Sequence, residues 1–202
     1  MAYIICFLSI MSQIKKDIKM KKSILFTLLI SLLFIGCSKN DEALQNVEPK
    51  LVVGKTIGTI KLQDQFEVAH TLSPDTYKLI FAFSKEPAHI CNDFFDTKEA
   101  TYLQKHHTEF IADVSAAPSL IRSMFILPGL KDFKHTVLLL DDEKIAAPYR
   151  KDMNTEAIVV VYIINKEITE IKTLNSKEEL RKIIEDDSAI SFIAPMINKI
   201  LN

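Results

Sequence analysis

The clearest indication of the fold of this chain comes from residues 77–83 (YKLIFAF) and 158–164 (IVVVYII). Both runs are continuously apolar and of strand length, a pattern typical of β-strands that are buried on both faces. Residues 110–114 and 136–140 are shorter runs of the same kind. Together, the four runs predict the centre of a β-sheet that is flanked by helices.

Two helices are predicted between these strands. The first spans residues 89–107. The second spans residues 119–125 and ends at Pro128-Gly129, because proline and glycine interrupt helices. The apolar side chains of residues 119–127 (SLIRSMFIL) are interpreted as part of the core.

A hairpin and a closing helix follow the last apolar run. Asn and Lys at 165–166 form the turn into a strand over residues 167–174. Ser176, with Glu179 three residues later, is the capping-box pattern, which begins a helix that runs through Glu185. Strands that alternate with helices, followed by a hairpin and a final helix, predict an α/β fold with a mixed sheet.

The amino-terminal sequence predicts the compartment. Residues 20–37 read MKKSILFTLLISLLFIGC: two lysines, an apolar stretch too short for a stable membrane span, and a Gly-Cys junction. This resembles a bacterial lipoprotein signal, in which Cys37 is acylated and becomes the new amino terminus. One departure is Phe34, which stands where such signals usually have leucine. The alternatives are an ordinary membrane anchor or a cleaved secretory signal, with Cys37 incidental.

The signal divides the chain of 202 residues. Met20 begins a better signal than Met1 does, so residues 1–19 are interpreted as an over-extended start. Removal of the signal leaves 166 residues, a length that fits one domain. The expected parts are the signal (1–36), a lipidated polar tether (37–50), one folded domain (51–186) and a carboxyl-terminal amphipathic helix (187–202).

Charge and cysteine content narrow the classes of function. The signal region holds five lysines and one aspartate, so the remaining chain carries 20 basic and 25 acidic residues, a net charge near −5. Because this charge is negative and no basic stripe occurs, nucleic-acid binding is excluded. Apart from Cys37, the remaining chain contains only Cys91, so no intramolecular disulfide is expected if Cys37 is lipidated.

Five segments resemble the peroxiredoxin and thiol-reductase branch of the thioredoxin superfamily. In chain order they are VGKTIGTIKLQDQFEVAHTL (53–72), KLIFAFSKEPAHIC (78–91), HTVLLLDDEKIAAPY (135–149), IVVVYIINKEITEI (158–171) and SKEELRKIIE (176–185). The resemblance implies a thioredoxin-like sandwich with a central mixed sheet flanked by helices. A closer resemblance is to periplasmic thioredoxin-like lipoproteins that lack redox cysteines.

The resemblance also locates a degenerate active-site turn. Thioredoxin chemistry needs a nucleophilic thiol at a helix amino terminus and a second thiol that resolves the mixed disulfide. The matching slot is occupied by Ala88, His89, Ile90 and Cys91, so only the resolving position keeps sulfur. Residues 154–157 (NTEA) lack the proline that faces this motif in the family. Dithiol–disulfide exchange is therefore not expected.

A single-cysteine peroxidase or reductase is the alternative. In the peroxiredoxin motif, the proline and threonine slots before Cys91 are occupied by Ser84 and Ala88, and neither Arg122 nor Arg150 can be assigned the arginine role. His89 could assist Cys91, but two residues apart they point to different sides of a helix. We interpret Cys91 as a half-buried helix residue that packs like a small hydrophobe.

No cofactor is expected. After dithiol exchange and single-cysteine catalysis, the third possibility that the resemblance raises is a metal site. The candidate ligands are His89, Cys91, Asp93, His106 and His107. A soft-metal site prefers at least two sulfur ligands or well-spaced imidazoles, and neither CxxxC nor HxxxH occurs. No metal site is therefore predicted.

The carboxyl-terminal residues 191–201 (SFIAPMINKIL) predict a short helix with one apolar stripe. This stripe could pack against its own domain, form a homodimer contact or fit the groove of an envelope protein. Its members are Phe192, Ile193, Met196, Ile197, Ile200 and Leu201.

These observations predict a bacterial lipoprotein that faces the periplasm and is held to the lipid bilayer by acyl chains on Cys37. Ser38 favours the outer membrane, because retention at the inner membrane is often signalled by aspartate at that position. The expected function is that of a binding or scaffold module in the cell envelope, with an envelope protein or a second copy as partner. The alternative is the single-cysteine thiol enzyme.

Overall fold

A computed structural model describes residues 47–186 of the chain. The predicted signal, Cys37, most of the tether and the carboxyl-terminal apolar stripe lie outside the described residues. The strands are β1 (Lys61–Asp64), β2 (Ala69–Thr71), β3 (Lys78–Ala82), β4 (Thr108–Asp113), β5 (Leu138–Leu140), β6 (Ile158–Ile164) and β7 (Glu167–Leu174). The helices are α1 (Lys85–Phe95), α2 (Tyr102–Lys105), α3 (119–130), α4 (Glu143–Arg150) and α5 (Lys177–Glu185).

The strands form one mixed sheet in the order β2-β1-β5-β4-β3-β6-β7. Strands β3, β4 and β5 are parallel to one another, whereas β1 is antiparallel to β5 and β6 is antiparallel to β3. The edge strands β2 and β7 each pair antiparallel with their neighbour. The predicted mixed sheet flanked by helices is confirmed, and the two runs that decided it are the adjacent strands β3 and β6.

Both faces of the sheet are covered by apolar side chains of the domain itself. Along β3, Ile80 and Ala82 join the cluster under α1 and α5, while Leu79 and Phe81 join the cluster under α4 and the entry segment. All four side chains are buried, which explains why this strand is apolar without alternation. Residues 47–186 therefore contain a complete core and belong to a single compact unit.

The first predicted helix, over 89–107, is wrong in its boundaries. Helix α1 begins at Lys85, four residues earlier, and ends at Phe95, and the short helix α2 follows after a loop. Ser84 is extended (φ −141°) at the amino-terminal cap, and Pro87 lies in the first turn. Proline is tolerated there because the first-turn N–H groups have no partner within the helix.

Helix α3 continues through the predicted Pro128-Gly129 stop. It is built from a helical turn, a π-helical segment (Arg122–Ile126) and a final helical segment (Leu127–Leu130). Proline within a helix loses one N–H and crowds the carbonyl four residues earlier. The wider π turn before Pro128 accommodates both effects, so the helix ends at Leu130 instead.

The predicted hairpin and closing helix are confirmed. Asn165 and Lys166 both have positive φ (51° and 65°), the turn geometry that matches the twist of paired strands. The Ser176 hydroxyl accepts a hydrogen bond from the Glu179 N–H (3.2 Å), and the Glu179 carboxylate accepts one from the N–H of Asn175 (2.8 Å). This reciprocal cap fixes the start of α5.

Candidate functional site

An apolar groove opens at the carboxyl ends of the parallel strands β3 and β4. Its volume is about 650 Å³, within the range of small-ligand sites. Ligands of open α/β sheets commonly bind at this edge, because loops and helix amino termini converge there. One wall of the groove is α1, the other is α3 with the residue Phe133 beyond it, and the base comprises Phe83, Ala112 and Val114.

The α1 wall is polar. Lys85, Ala88, His89 and Asn92 line the groove and recur at helical spacing, so they share one face of the helix. The neighbouring Ser84 also lines the groove; its hydroxyl oxygen is buried and has no hydrogen-bond partner within residues 47–186. This wall offers cationic and hydrogen-bonding groups.

The α3 wall is apolar. Ile126, Leu130 and Phe133 line it, together with Gly129. The loop after β4 adds the small side chains of Ala116 and Ala117. Small residues keep the groove open, since their side chains end at the β-carbon. The groove thus combines one polar wall with one hydrocarbon wall.

Cys91 lies on the core-facing side of α1 and is fully buried, with 0% of its surface exposed. It belongs to the same core cluster as Phe94 and Phe95. Burial raises the pKa of the Cys91 thiol far above its ordinary value and so disfavours the thiolate that nucleophilic attack needs. The side chain is a core hydrophobe, more deeply buried than the half-buried position predicted.

The segment Ala88, His89, Ile90 and Cys91 does not form a turn. All four residues lie inside α1, beyond its first turn. His89 is exposed while Cys91 is buried, so the two side chains point to different sides of the helix, as their spacing predicts. The structure therefore does not assemble His89 and Cys91 into an acid–base pair.

On the core side of the α1 wall lies a buried hydrogen-bonded pair, His135 and Asn92, which the sequence analysis did not predict. His135 Nε2 lies 3.0 Å from Asn92 Oδ1, and because that oxygen can only accept, Nε2 is the donor. His135 is 2% exposed and packs against the rings of Phe95 and Phe133. Burial lowers the pKa of His135 to about 4, so the imidazole is neutral at pH 7. The partners are 43 residues apart, and no local motif marks them.

A network of charged side chains lies at the carboxyl end of β4, beside the groove. The Arg150 guanidinium donates to Asp113 (2.5 Å) and to Glu143, and the Ser115 hydroxyl donates to Asp113 (2.6 Å). Arg122 donates to the backbone carbonyl of Asp141 (2.5 Å). Both arginines considered for a peroxidase role are thus engaged in structural contacts. The network pairs Asp113 with Arg150, and within residues 47–186 Asp113 is the only acidic residue that lines the groove.

Four large apolar side chains on the outer side of α3 face solvent, contrary to the prediction that this segment is core. Their exposure lies between 44% and 65%, whereas Leu130 at the end of the same helix is buried. The segment is apolar, as its sequence shows. However, an apolar pattern does not specify which face of a helix is covered by the rest of the domain. We call this set the α3 stripe: Leu120, Ile121, Met124 and Phe125.

The candidate metal ligands are not brought together. His89 and Asp93 are exposed on α1, Cys91 is in the core, and His106 and His107 precede β4 at the opposite end of the sheet. Among residues 47–186 there is no group of three or more His, Cys, Asp or Glu side chains that could hold a metal ion. In that same range, no helix combines the length and apolarity that a membrane span requires.

Strand order identifies the fold. The unit β3-α1-β4 is a parallel pair joined by a helix, and β6-β7-α5 is an antiparallel hairpin followed by a helix, placed so that β6 lies beside β3. The domain is thioredoxin-like. The extra strands β1, β2 and β5 extend this sheet at the β4 edge.

Solved structures with a similar thioredoxin-like fold are distant in sequence. Peroxidoxin BcpB from Mycobacterium tuberculosis is 13% identical (TM-score 0.47; 68% of this chain and 97% of that chain covered). The mitochondrial 2-Cys peroxiredoxin of Plasmodium falciparum is 12% identical (TM-score 0.44; 71% and 96%). The thioredoxin domain of a thiol-disulfide oxidoreductase from Bacteroides vulgatus is 12% identical (TM-score 0.40; 67% and 99%). Similarity at this level carries no information about activity.

No protein-family model and no curated protein sequence matches the chain. The residues of the groove and of helix α1 therefore give the available information on function. In a thioredoxin-like enzyme, the reactive thiol lies at the start of this helix, where the helix dipole lowers its pKa. Here that position carries Ser84, Lys85 and Glu86, and the one sulfur in the helix faces the core.

Proposed function

We propose that this protein is a lipid-anchored, non-catalytic thioredoxin-like binding module of the bacterial cell envelope. In this proposal Cys37 carries the acyl chains, residues 38–50 are the tether, and the domain faces the periplasm from the outer membrane. The domain binds a partner through the α3 stripe, on the side of α3 that faces away from the groove. The observation that carries the proposal is the full burial of Cys91, which removes thiol chemistry from a fold whose groove remains open.

Thiol peroxidase or reductase activity has no support at Cys91. Attack on peroxide or disulfide needs a thiolate that the substrate can reach, and this thiol has neither property. His89 is on the other face of α1, and both Arg122 and Arg150 are held by other groups. A structural role in the core accounts for Cys91 without further assumptions.

The α3 stripe is the proposed contact surface for an envelope protein. Its four side chains follow one another on a single face of α3, and contiguous exposed apolar surface commonly marks an interaction site. A stable homodimer buries about 800 Å² on each partner. Four side chains supply only part of that area, so the stripe alone is smaller than a stable homodimer interface.

Site-specific photo-cross-linking in living cells tests this proposal. A photoreactive amino acid replaces Phe125 in the stripe or, as the matched control, the exposed Thr173 on the edge strand β7. We expect a discrete cross-linked species from position 125 that is lost when Ile121→Asp is added, and none from position 173. A species of twice the monomer mass would identify a second copy as partner instead. No species at position 125, or the same species at both positions, would refute the proposed surface.

Lipid anchoring is tested separately by metabolic labelling with an alkyne fatty acid. We expect label on the wild-type protein and none on Cys37→Ala. Fractionation of the outer and inner membranes then assigns the compartment. Equal labelling of both proteins would contradict acylation at Cys37.

A further inference from the structure

We propose that the apolar groove binds a long-chain carboxylate, such as a fatty acid. The carboxylate lies against the α1 wall and the hydrocarbon chain against the α3 wall. This inference rests on the proposed role as a binding module and adds a ligand class to it. It uses the groove itself, not the α3 stripe on the outer side of the helix.

Asn92 supplies the main argument for an anionic head group. The residue is only 6% exposed and lines the groove. Its Oδ1 is occupied by His135, whereas no hydrogen bond to its Nδ2 amide is found within residues 47–186. Nδ2 is not among the buried side-chain atoms without a partner, so it keeps some exposed surface, and Asn92 itself lines the groove. Such donors need an acceptor oxygen.

The start of α1 adds positive potential beside this amide. No side chain caps the helix, although Ser84, whose hydroxyl has no partner, occupies the cap position. The free N–H groups of the first turn and the helix dipole both favour an anion. Lys85 and His89 lie on the same face as Asn92, so a carboxylate here meets one lysine, one imidazole and amide donors.

The acidic side chain that lines the groove is paired. Among residues 47–186, Asp113 is the only acidic residue in the lining, and its carboxylate accepts hydrogen bonds from Arg150 and Ser115. Glu86 lies in the first turn of α1 but is exposed and does not line the groove. The α1 wall therefore complements an anion.

The opposite wall favours a hydrocarbon chain over a peptide. Ile126, Leu130 and Phe133 offer apolar contact and no side-chain hydrogen bond. A peptide in an extended conformation needs partners for its N–H and C=O groups along its whole length, and the α3 wall supplies none. An alkyl chain has no such groups, and its burial is favourable in proportion to area.

Isothermal titration of laurate into residues 38–202 tests the proposal, with laurate below its micellar concentration. The matched probe is dodecyltrimethylammonium, which has the same chain length and the opposite charge. Two variants probe the two walls: Lys85→Glu reverses the charge at the head, and Ala117→Trp fills the groove. Lys144→Glu is the matched control, because Lys144 is also an exposed lysine in the first turn of a helix. Circular dichroism confirms that each variant is folded.

We expect laurate to bind at least tenfold more tightly than the cationic probe. Lys85→Glu should weaken laurate binding about tenfold, Ala117→Trp should abolish it, and Lys144→Glu should leave it within twofold of wild type. Equal affinity for both probes, or laurate binding that persists in Ala117→Trp, would overturn the proposal. No binding of laurate to the folded wild-type domain would also overturn it.

Failure here is distinguishable from failure of the binding-module proposal. Laurate binding is measured in the groove, whereas partner contact is measured by cross-linking from Phe125 on the α3 stripe. A cross-linked partner without laurate binding would refute the ligand class alone. Rapid alkylation of Cys91 in the folded domain would contradict the non-catalytic module itself.

Discussion

The stability of this domain should fall by about 3 kcal/mol as the pH drops from 7 to 4, because of His135. Burial sets the pKa of this imidazole to about 4 in the folded state, against about 6.5 in the unfolded chain. The difference is about 2.5 pKa units, and each unit corresponds to about 1.4 kcal/mol. The effect is thus a large part of the 5–15 kcal/mol typical of a domain.

The sign follows from proton binding. Between pH 6.5 and 4, the unfolded chain binds a proton at His135 and the folded domain does not, so stability rises with pH through this window. The contribution is fully present above pH 6.5 and is lost progressively down to pH 4. Asp64 titrates lower: burial alone would raise its pKa, but hydrogen bonds from His70, Val68 and Phe66 together lower it. Its contribution is lost only in more acidic solution.

Urea denaturation of residues 38–202 at half-unit steps from pH 7.5 to 4 measures this effect. The control variant is His135→Gln, whose amide can still donate to Asn92 but does not titrate. We expect the wild-type free energy of unfolding to fall by up to about 1.4 kcal/mol per pH unit relative to the variant. Parallel curves for the two proteins would refute the reasoning, because they would show that His135 charges without penalty in the folded state.

Three further predictions concern stability and reactivity, each measured by urea denaturation unless stated. Cys91 should react with iodoacetamide at least about 10³-fold more slowly in the folded domain than in urea, since the reagent reaches the thiol only after unfolding. A reaction rate near that of the unfolded chain would contradict the burial of Cys91. Replacing Lys166 with glycine should stabilise the domain by about 0.5–1 kcal/mol, because the φ of 65° at position 166 strains the backbone of a residue with a side chain. The control Lys172→Gly, within β7, should instead destabilise the domain. Arg150→Met should cost about 3 kcal/mol by leaving the buried Asp113 carboxylate unpaired, and Asp113→Asn should recover part of that loss.

Continuous apolar runs made the sheet predictable. Strands β3 and β6 are buried on both faces, so their sequences carry no alternation and cannot be confused with surface strands. The hairpin turn and the cap of α5 were predictable because both depend on residues close in sequence. Helix α1 begins four residues before the predicted start, because Pro87 fits the first turn of a helix.

The candidate site was less predictable, because its contacts join distant segments. Asn92 and His135 lie on different elements, and neither residue belongs to a local motif. The exposure of the α3 stripe depends on what covers the helix, which an apolar pattern cannot specify. The burial of Cys91 did leave a signal: Cys91, Phe94 and Phe95 have the spacing of one helix face, and two phenylalanines on that face indicate the core side.

On helix α1, positive charge lines the groove whereas the cysteine is buried in the core. The groove is therefore open but presents no thiol. A reactive thiol needs both the positive potential at a helix amino terminus and contact with solvent. In this chain the positive end of α1 still faces the groove, but the groups placed there are Ser84, Lys85 and, one turn on, His89. The only sulfur of the helix is on the other face, where burial raises the pKa of Cys91. In the proposed function, a groove that favours an anion and contains no thiol binds its ligand without thiol chemistry, which is why we test it with carboxylates and not with peroxides or disulfides.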